Sequence, residues 1–118
     1  MSLPHATSGD VISVTPLQEA LPDALSTAIV RTPHFELIRS VLHKGRSVPE
    51  HKVNGELTIQ CLEGKLDVHA HGRAIPLGPG ELLFLAGGVP HSIDAAEDSS
   101  ALLTLVRVPA RADAEAAS

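Results

Sequence analysis

The sequence is poor in aromatic residues, with two phenylalanines and no tryptophan or tyrosine. Proteins that bind single-stranded nucleic acids stack bases on aromatic side chains. Proteins that bind duplexes neutralise phosphates with lysine and arginine clusters. This chain has 9 basic and 14 acidic residues, a net charge of −5, and its basic residues form no cluster. We therefore expect no nucleic-acid partner.

Cysteine and long apolar runs are scarce as well. Cys61 is the single cysteine, so no disulfide can form within the chain, as is usual in a reducing compartment. No apolar run approaches the roughly 20 residues that a membrane-spanning helix needs. The first residues lack the basic start and apolar stretch of a secretory signal. These absences predict a cytoplasmic protein with no membrane partner.

Short extended segments fill most of the 118 residues, separated by glycine, proline and asparagine. The pattern predicts eight or nine strands, within Ala28–Arg31, Phe35–His43, Val48–Val53, Glu56–Leu62, Leu66–His71, Ala74–Leu77, Glu81–Leu85, His91–Ala95 and Ala101–Val108. Short strands at this spacing are typical of a β-sandwich or barrel. No long helical period competes, so we predict a single all-β domain.

Three regions follow from this pattern. Residues 1–26 form an N-terminal extension, in which Leu17–Leu25 can make a short helix that Pro22 interrupts. Residues 27–108 form the barrel. Residues 109–118 form a flexible C-terminal tail, because they include no apolar residue larger than alanine after Pro109.

Two segments resemble the paired motifs of the cupin superfamily, which are small jelly-roll barrels. The first begins at Gly45, reaches a histidine at His51 after five residues and ends at Gly64. The second begins at Gly80 and contains His91 in register. The resemblance implies a jelly-roll β-barrel with an interior cavity. It also implies a homodimer that pairs its outer sheet faces, as small cupins do.

The resemblance implies a metal site with missing ligands. Cupin metalloenzymes hold a divalent transition metal, such as iron, manganese, zinc or nickel, on three histidines and one glutamate. By position, His51 and His91 match the first and third histidines, whereas Val53 and Leu57 occupy the other two positions, and Glu56 lies one residue too early. Losing two of four ligands should weaken metal binding by orders of magnitude.

The register of the strand after Asn54-Gly55 decides which side chains face the interior. Side chains alternate between the two faces of a strand. If the register that starts at His51 continues, Val53 and Leu57 face inward. A bulge at Asn54-Gly55 would turn Glu56 and Gln60 inward instead. We favour the first register, because it places the apolar set in the core.

His51 and His91 therefore have three open roles: ligands of a metal, walls of a metal-free pocket with Val53, Leu57 or Gln60, or histidines with only structural hydrogen bonds. The first function hypothesis is a cupin that binds or senses a small-molecule ligand. The alternative is a metal-dependent oxygenase or isomerase acting on a small organic substrate, with His51, His91 and Glu56 as ligands. A purely structural module is the third.

Other conspicuous residues have simpler interpretations. The apolar residues Leu66, Val68 and Ala70 should face the core, so we expect His69 and His71 in solvent. We expect Cys61 to be a buried and inert thiol and Phe84 to be a core aromatic ring. We expect the guanidinium of Arg39 to reach solvent from a strand end.

Overall fold

The computed structural model describes residues 5–108. It contains one 3-10 helix, Gln18–Asp23, followed by nine strands. The strands are β1 Thr27–Arg31, β2 Phe35–Leu42, β3 Ser47–His51, β4 Leu57–Glu63, β5 Leu66–Ala70, β6 Arg73–Leu77, β7 Leu82–Leu85, β8 His91–Ala95 and β9 Ser99–Val106. This confirms the predicted all-β class.

The strands form two antiparallel sheets. One has five strands in the order β1-β2-β9-β4-β7, and the other has four in the order β3-β8-β5-β6. Leu57, Ile59 and Cys61 of β4 alternate with less buried residues and join Val68 and Ile93 of the other sheet in one hydrophobic core. Burying a leucine or isoleucine side chain contributes about 1.5–3 kcal/mol, so this alternation fixes the strand faces.

The β4 register is the one that the apolar pattern favoured. Leu57 lies in the core, whereas Glu56, one residue earlier, is exposed. The Asn54-Gly55 bend lies between two strands and is not a bulge within one strand. It carries the chain from β3 in the four-stranded sheet to β4 in the five-stranded sheet.

Two expectations about the five-stranded sheet are wrong. Phe84 is 58% exposed on the outward side of β7, where it pairs with Thr58, because β7 is an edge strand. Arg39 of β2 is only 9% exposed. The chain from residue 6 to the first residue of the helix, Gln18, crosses this outer face and covers the guanidinium. We call residues 6–18 the strap.

The 3-10 helix occupies six residues of the region where a short helix was expected, and it contains Pro22. Its buried residue is Leu21. Within residues 5–108, no helix is long and apolar enough to cross a membrane. The predicted tail, residues 109–118, lies outside the described residues, as do residues 1–4. The division into three regions stays a prediction.

Candidate functional site

His51 and His91 form a pair at one end of the two sheets, which we call the mouth. His51 is the last residue of β3 and His91 is the first of β8, and the two are partners in the strand register. Their ring centroids lie 4.4 Å apart with the planes at 54°. His91 is 1% exposed, whereas His51 is exposed. One ring is thus fixed in the protein and the other borders solvent.

A register shift in β3 gives His51 its direction. Val48 pairs with Ile93 and His51 pairs with His91, so three steps along β3 match two along β8. Without this extra residue, side chains three positions apart would point to opposite faces. The shift therefore places His51 on the core side with Val48. Pro49 lies inside it, and proline is tolerated at a bulge on an edge strand.

Both imidazoles are held through the same nitrogen. The Nδ1 of His51 lies 3.1 Å from the carbonyl oxygen of Pro49, and the Nδ1 of His91 lies 3.0 Å from that of Val89. A carbonyl oxygen can only accept, so each Nδ1 donates its hydrogen. A neutral ring with Nδ1–H carries its lone pair on Nε2. Each ring therefore has Nε2 as its acceptor or ligand atom.

The other predicted site residues do not complete a metal site. Val53 packs against the core and Leu57 is part of it. Gln60 is half-buried and pairs with Leu102 and Leu82 on the opposite face of β4 from Leu57. Across residues 5–108, no three or more histidine, cysteine, aspartate or glutamate side chains are grouped so that they could hold a metal ion. The four-ligand cupin set does not fit these residues.

The loop between β7 and β8 fixes the mouth from the other side. Gly88 N–H donates to the carbonyl oxygen of Val53 at 2.7 Å. At Gly87, a Cβ would overlap the backbone carbonyl of Asn54. Only glycine permits so close an approach. The backbone around Val53 is therefore locked against the loop that leads into His91.

Space for a ligand lies outside the mouth. A void between the sheets, bordered by Leu66, Ile93 and Ala101, measures about 10 Å³, which is close to the minimum for one water molecule. An open groove of about 700 Å³ lies between the β5–β6 turn and the loop that leads into His91. Its lining residues include Glu50, His69, His71, Arg73, Val89 and Pro90. Its lining includes Glu50 and Pro90, which directly precede the paired histidines, but neither His51 nor His91.

The histidines of β5 and its turn face outward, as expected. His69 and His71 are exposed, and Leu66 is in the core. His69 Nε2 lies 2.8 Å from Oδ2 of Asp94, and Ser47 donates a hydrogen bond to the other oxygen of Asp94 at 2.6 Å. These two hydrogen bonds, that of Ser47 first, lower the pKa of Asp94. His69 is thus already partnered.

Cys61 is a buried free thiol. Burial raises the pKa of its thiol, and the nearby carboxylates of Glu63, Glu81 and Glu97 act in the same direction. A raised pKa leaves less of the reactive thiolate at neutral pH. This agrees with the expected inert role in the core.

A family model described as a cupin domain matches residues 38–107. This range includes both histidines of the mouth and seven of the nine strands in full. No curated protein matches the chain significantly.

Several solved structures share the fold. A conserved protein of unknown function from Streptococcus pyogenes is 18% identical, with a TM-score of 0.71 over 92% of this chain and 96% of that one. A cupin superfamily protein from Desulfitobacterium hafniense is 19% identical, with a TM-score of 0.73 over 87% and 100%. KdgF from Halomonas is 18% identical, with a TM-score of 0.64 over 73% and 82%. At these identities the likeness concerns the fold alone.

Proposed function

This chain belongs to the cupin domain family, and from that premise we propose that it binds a small polar molecule at the mouth, through His51 and His91. The histidine pair carries the proposal. Its two Nε2 atoms are acceptors because both Nδ1 atoms donate to backbone carbonyls. A ligand with hydroxyl or amino groups can donate to them. A binding or sensing role is then the best supported function.

The shape of the protein supports a ligand at the rim. A void of about 10 Å³ between the sheets is too small for an organic molecule, whereas the open groove beside the loop that leads into His91, about 700 Å³, has the volume of small-molecule sites. The ligand would contact the exposed His51 and extend past the strand ends at Glu50 and Pro90 toward the groove.

Mass spectrometry under native conditions, on protein purified without a tag, tests this proposal. A bound molecule should be present or regained from a metabolite library, and it should be lost in both His51→Ala and His91→Ala. His34→Ala is the matched control, because His34 is an exposed histidine in the turn before β2. A ligand retained by both mouth variants would place its site elsewhere.

A second candidate function is a metal-dependent oxygenase or isomerase acting on a small organic substrate. The Nδ1–H to carbonyl hydrogen bonds favour it, because histidines that bind metals are usually oriented in this way. Valine and leucine at the other two ligand positions count against it. Elemental analysis decides between the candidates. Near one iron, manganese, zinc or nickel per chain, lost in His91→Ala, would favour the enzyme.

We also propose a homodimer built on the outer face of the five-stranded sheet. The exposed large apolar side chains among the described residues lie on this sheet or in the segments flanking it, and none belongs to the four-stranded sheet. On β7, Leu82 and Phe84 are 59% and 58% exposed. Exposed apolar patches of this kind mark protein–protein contacts.

Light scattering coupled to size-exclusion chromatography tests the dimer. Phe84→Lys should shift the mass from two chains to one, because it places a charge in the contact. Ala74→Lys is the control, since Ala74 is exposed on β6 of the other sheet.

We further propose that the protein is in the reducing cytoplasm, in keeping with its free thiol. Cell fractionation can check this.

A further inference from the structure

A second groove, of about 370 Å³, lies between the loop that joins β3 to β4, the end of β1, the start of β2 and the end of β9. Three of its lining residues are cationic and one is anionic; they are Arg31, Lys52, Arg107 and Glu36. Neither His51 nor His91 lines it, so it is separate from the site proposed above. We call it the cationic groove.

The charge of the cationic groove is opposite to that of the whole protein. The chain has 9 basic residues and a net charge of −5. Three of those basic residues line this one groove together with a single carboxylate, which leaves a local charge of +2. A cleft lined mainly by one sign of charge concentrates ions of the opposite sign. The groove should therefore attract anions, although the protein as a whole repels them.

Strand pairing gives the cationic groove its place on the sheet. Residues directly opposite one another on neighbouring strands share a face. Arg31 is the strand partner of Glu36, which in turn is the partner of Leu105. Leu105 is also the partner of Leu57, which lies in the core. The groove is therefore built on the inner face of the five-stranded sheet, the face that also forms the hydrophobic core.

The cationic side chains of the groove keep donors for a ligand. The Nε of Arg31 lies 3.6 Å from Oε2 of Glu36, which is too long for a hydrogen bond. Across the described residues, neither Lys52 nor Arg107 takes part in an ion pair. Hydrogen bonds from arginine and lysine to a carboxylate are stronger than those between neutral groups. A carboxylate in the groove can therefore accept hydrogen bonds from all three cations.

The floor of the cationic groove is apolar and held in place. Val53 and Leu105 line the groove and also pack against the hydrophobic core. The two segments that carry them are tied together, because the N–H of Val106 donates to the carbonyl oxygen of Glu56 at 2.9 Å. A hydrocarbon group placed on this floor would be removed from water, which favours binding. An inorganic anion gains nothing from the floor.

We propose that the cationic groove binds a small organic acid, with its carboxylate at the three cationic side chains and its hydrocarbon body on Val53 and Leu105. The volume of about 370 Å³ lies within the range of small-molecule sites. The proposal does not depend on the ligand proposed for the mouth, because the two sites share no lining residue among those that carry either proposal.

An NMR titration of the full chain, labelled with nitrogen-15, tests the site with three probes. Hexanoate has both the carboxylate and the hydrocarbon body, acetate lacks most of the body, and hexanol lacks the charge. Hexanoate should shift the amide signals of Val53, Leu105 and Arg107, and it should bind at least about fivefold more tightly than either other probe. Acetate binding as tightly would overturn the role of the floor, and hexanol binding as tightly would overturn that of the cations. No shift with hexanoate would overturn the site.

Two variants test whether the cations hold the carboxylate. Lys52→Gln and Arg107→Gln should each weaken hexanoate binding about fivefold, because each removes one positive charge from the groove. Lys65→Gln is the matched control, since Lys65 is exposed and lies outside the groove. The same weakening in the control would show that only the net charge of the protein matters, which would overturn the site.

A variant of the opposite sign completes the test. Glu36→Gln removes the single carboxylate of the groove and should tighten hexanoate binding about threefold. Glu50→Gln, at an exposed carboxylate outside the groove, should leave it unchanged. His51→Ala should also leave it unchanged. Loss of hexanoate binding in His51→Ala would place the acid at the mouth and overturn the separate site, whereas the ligand proposed for the mouth would be unaffected by Lys52→Gln or Glu36→Gln.

Discussion

His51 and His91 are held in the same way, each through a hydrogen bond from Nδ1 to the carbonyl oxygen two residues earlier, and their rings meet 4.4 Å apart. Two separate strand ends thus present identical Nε2 acceptors at one place. They differ in surroundings, because His91 is buried and His51 borders solvent. Experiments can therefore separate the effect of each histidine on ligand binding from its effect on the stability of the fold.

The two histidines should differ in their effect on stability. His91→Ala leaves a buried gap and an unpaired Val89 carbonyl oxygen, so it should lower the free energy of unfolding by about 2 kcal/mol. His51→Ala, at an exposed site, should lower it by less than about 0.5 kcal/mol. Both should abolish ligand binding. Urea titration and native mass spectrometry provide the two measurements, and equal losses of stability would contradict the assigned burial.

A third histidine should create a metal site. Val53 packs at the mouth, and its backbone is fixed by the hydrogen bond from Gly88. Val53→His should therefore raise the affinity for Zn²⁺ at least about tenfold over the natural chain, because stable zinc sites use three or more protein ligands. Lys52→His, an added histidine at an exposed neighbour, should give no such gain. Isothermal titration calorimetry measures both, and no gain at Val53 would mean that its side chain points away from the pair.

Acid should weaken the hydrogen bonds between the Glu63 carboxylate and the strap. Burial alone would raise the pKa of this carboxyl, but hydrogen bonds from Ser100 and from the N–H groups of Leu17 and Gln18 outweigh it, and the pKa is lowered. The stabilisation is then complete above the ordinary glutamate pKa of about 4.3 and is lost as the pH falls through the lower pKa of the folded state.

The free energy of unfolding, measured by urea titration from pH 7 to pH 3, checks this dependence. Glu63→Gln should lower it at pH 7 and flatten its decline below about pH 4.3. Glu56→Gln, at an exposed carboxylate, should leave the value at pH 7 unchanged. A decline as steep in Glu63→Gln as in the natural chain would assign the acid sensitivity to other groups.

Gly64 should tolerate no side chain. Its φ is +84°, and a Cβ there would overlap the backbone of Asp98 and Ser99. Gly64→Ala should lower the free energy of unfolding by at least about 2 kcal/mol. Gly80 has the same φ with open space around it, so Gly80→Ala should lose only the conformational part, about 1 kcal/mol. Thermal unfolding of both variants gives the comparison, and equal losses would exclude the overlap at Gly64.

The strand pattern made the fold predictable, because alternation on β4 left one arrangement that buries Leu57 and Ile59. The histidine pair was predictable from the two cupin-like motifs, which contain His51 and His91. The bulge that turns His51 inward was missed, although Pro49 within a strand was a signal for it. The burial of Arg39 was not predictable, since it depends on a strap that approaches from more than 20 residues away in sequence. The exposure of Phe84 depends on β7 being at an edge, and strand order is set only by long-range pairing.

The void of about 10 Å³ between the sheets has a consequence for how the ligand specificity of this protein can be altered. Because this void leaves no room for an organic ligand, selectivity in our proposal depends on the histidine pair and the loops that meet at the mouth. Those loops span residues 52–56, 71–72 and 86–90, and they connect strands without contributing to the sheets. New specificities can therefore be sought by varying the rim alone, while the scaffold beneath it keeps its stability.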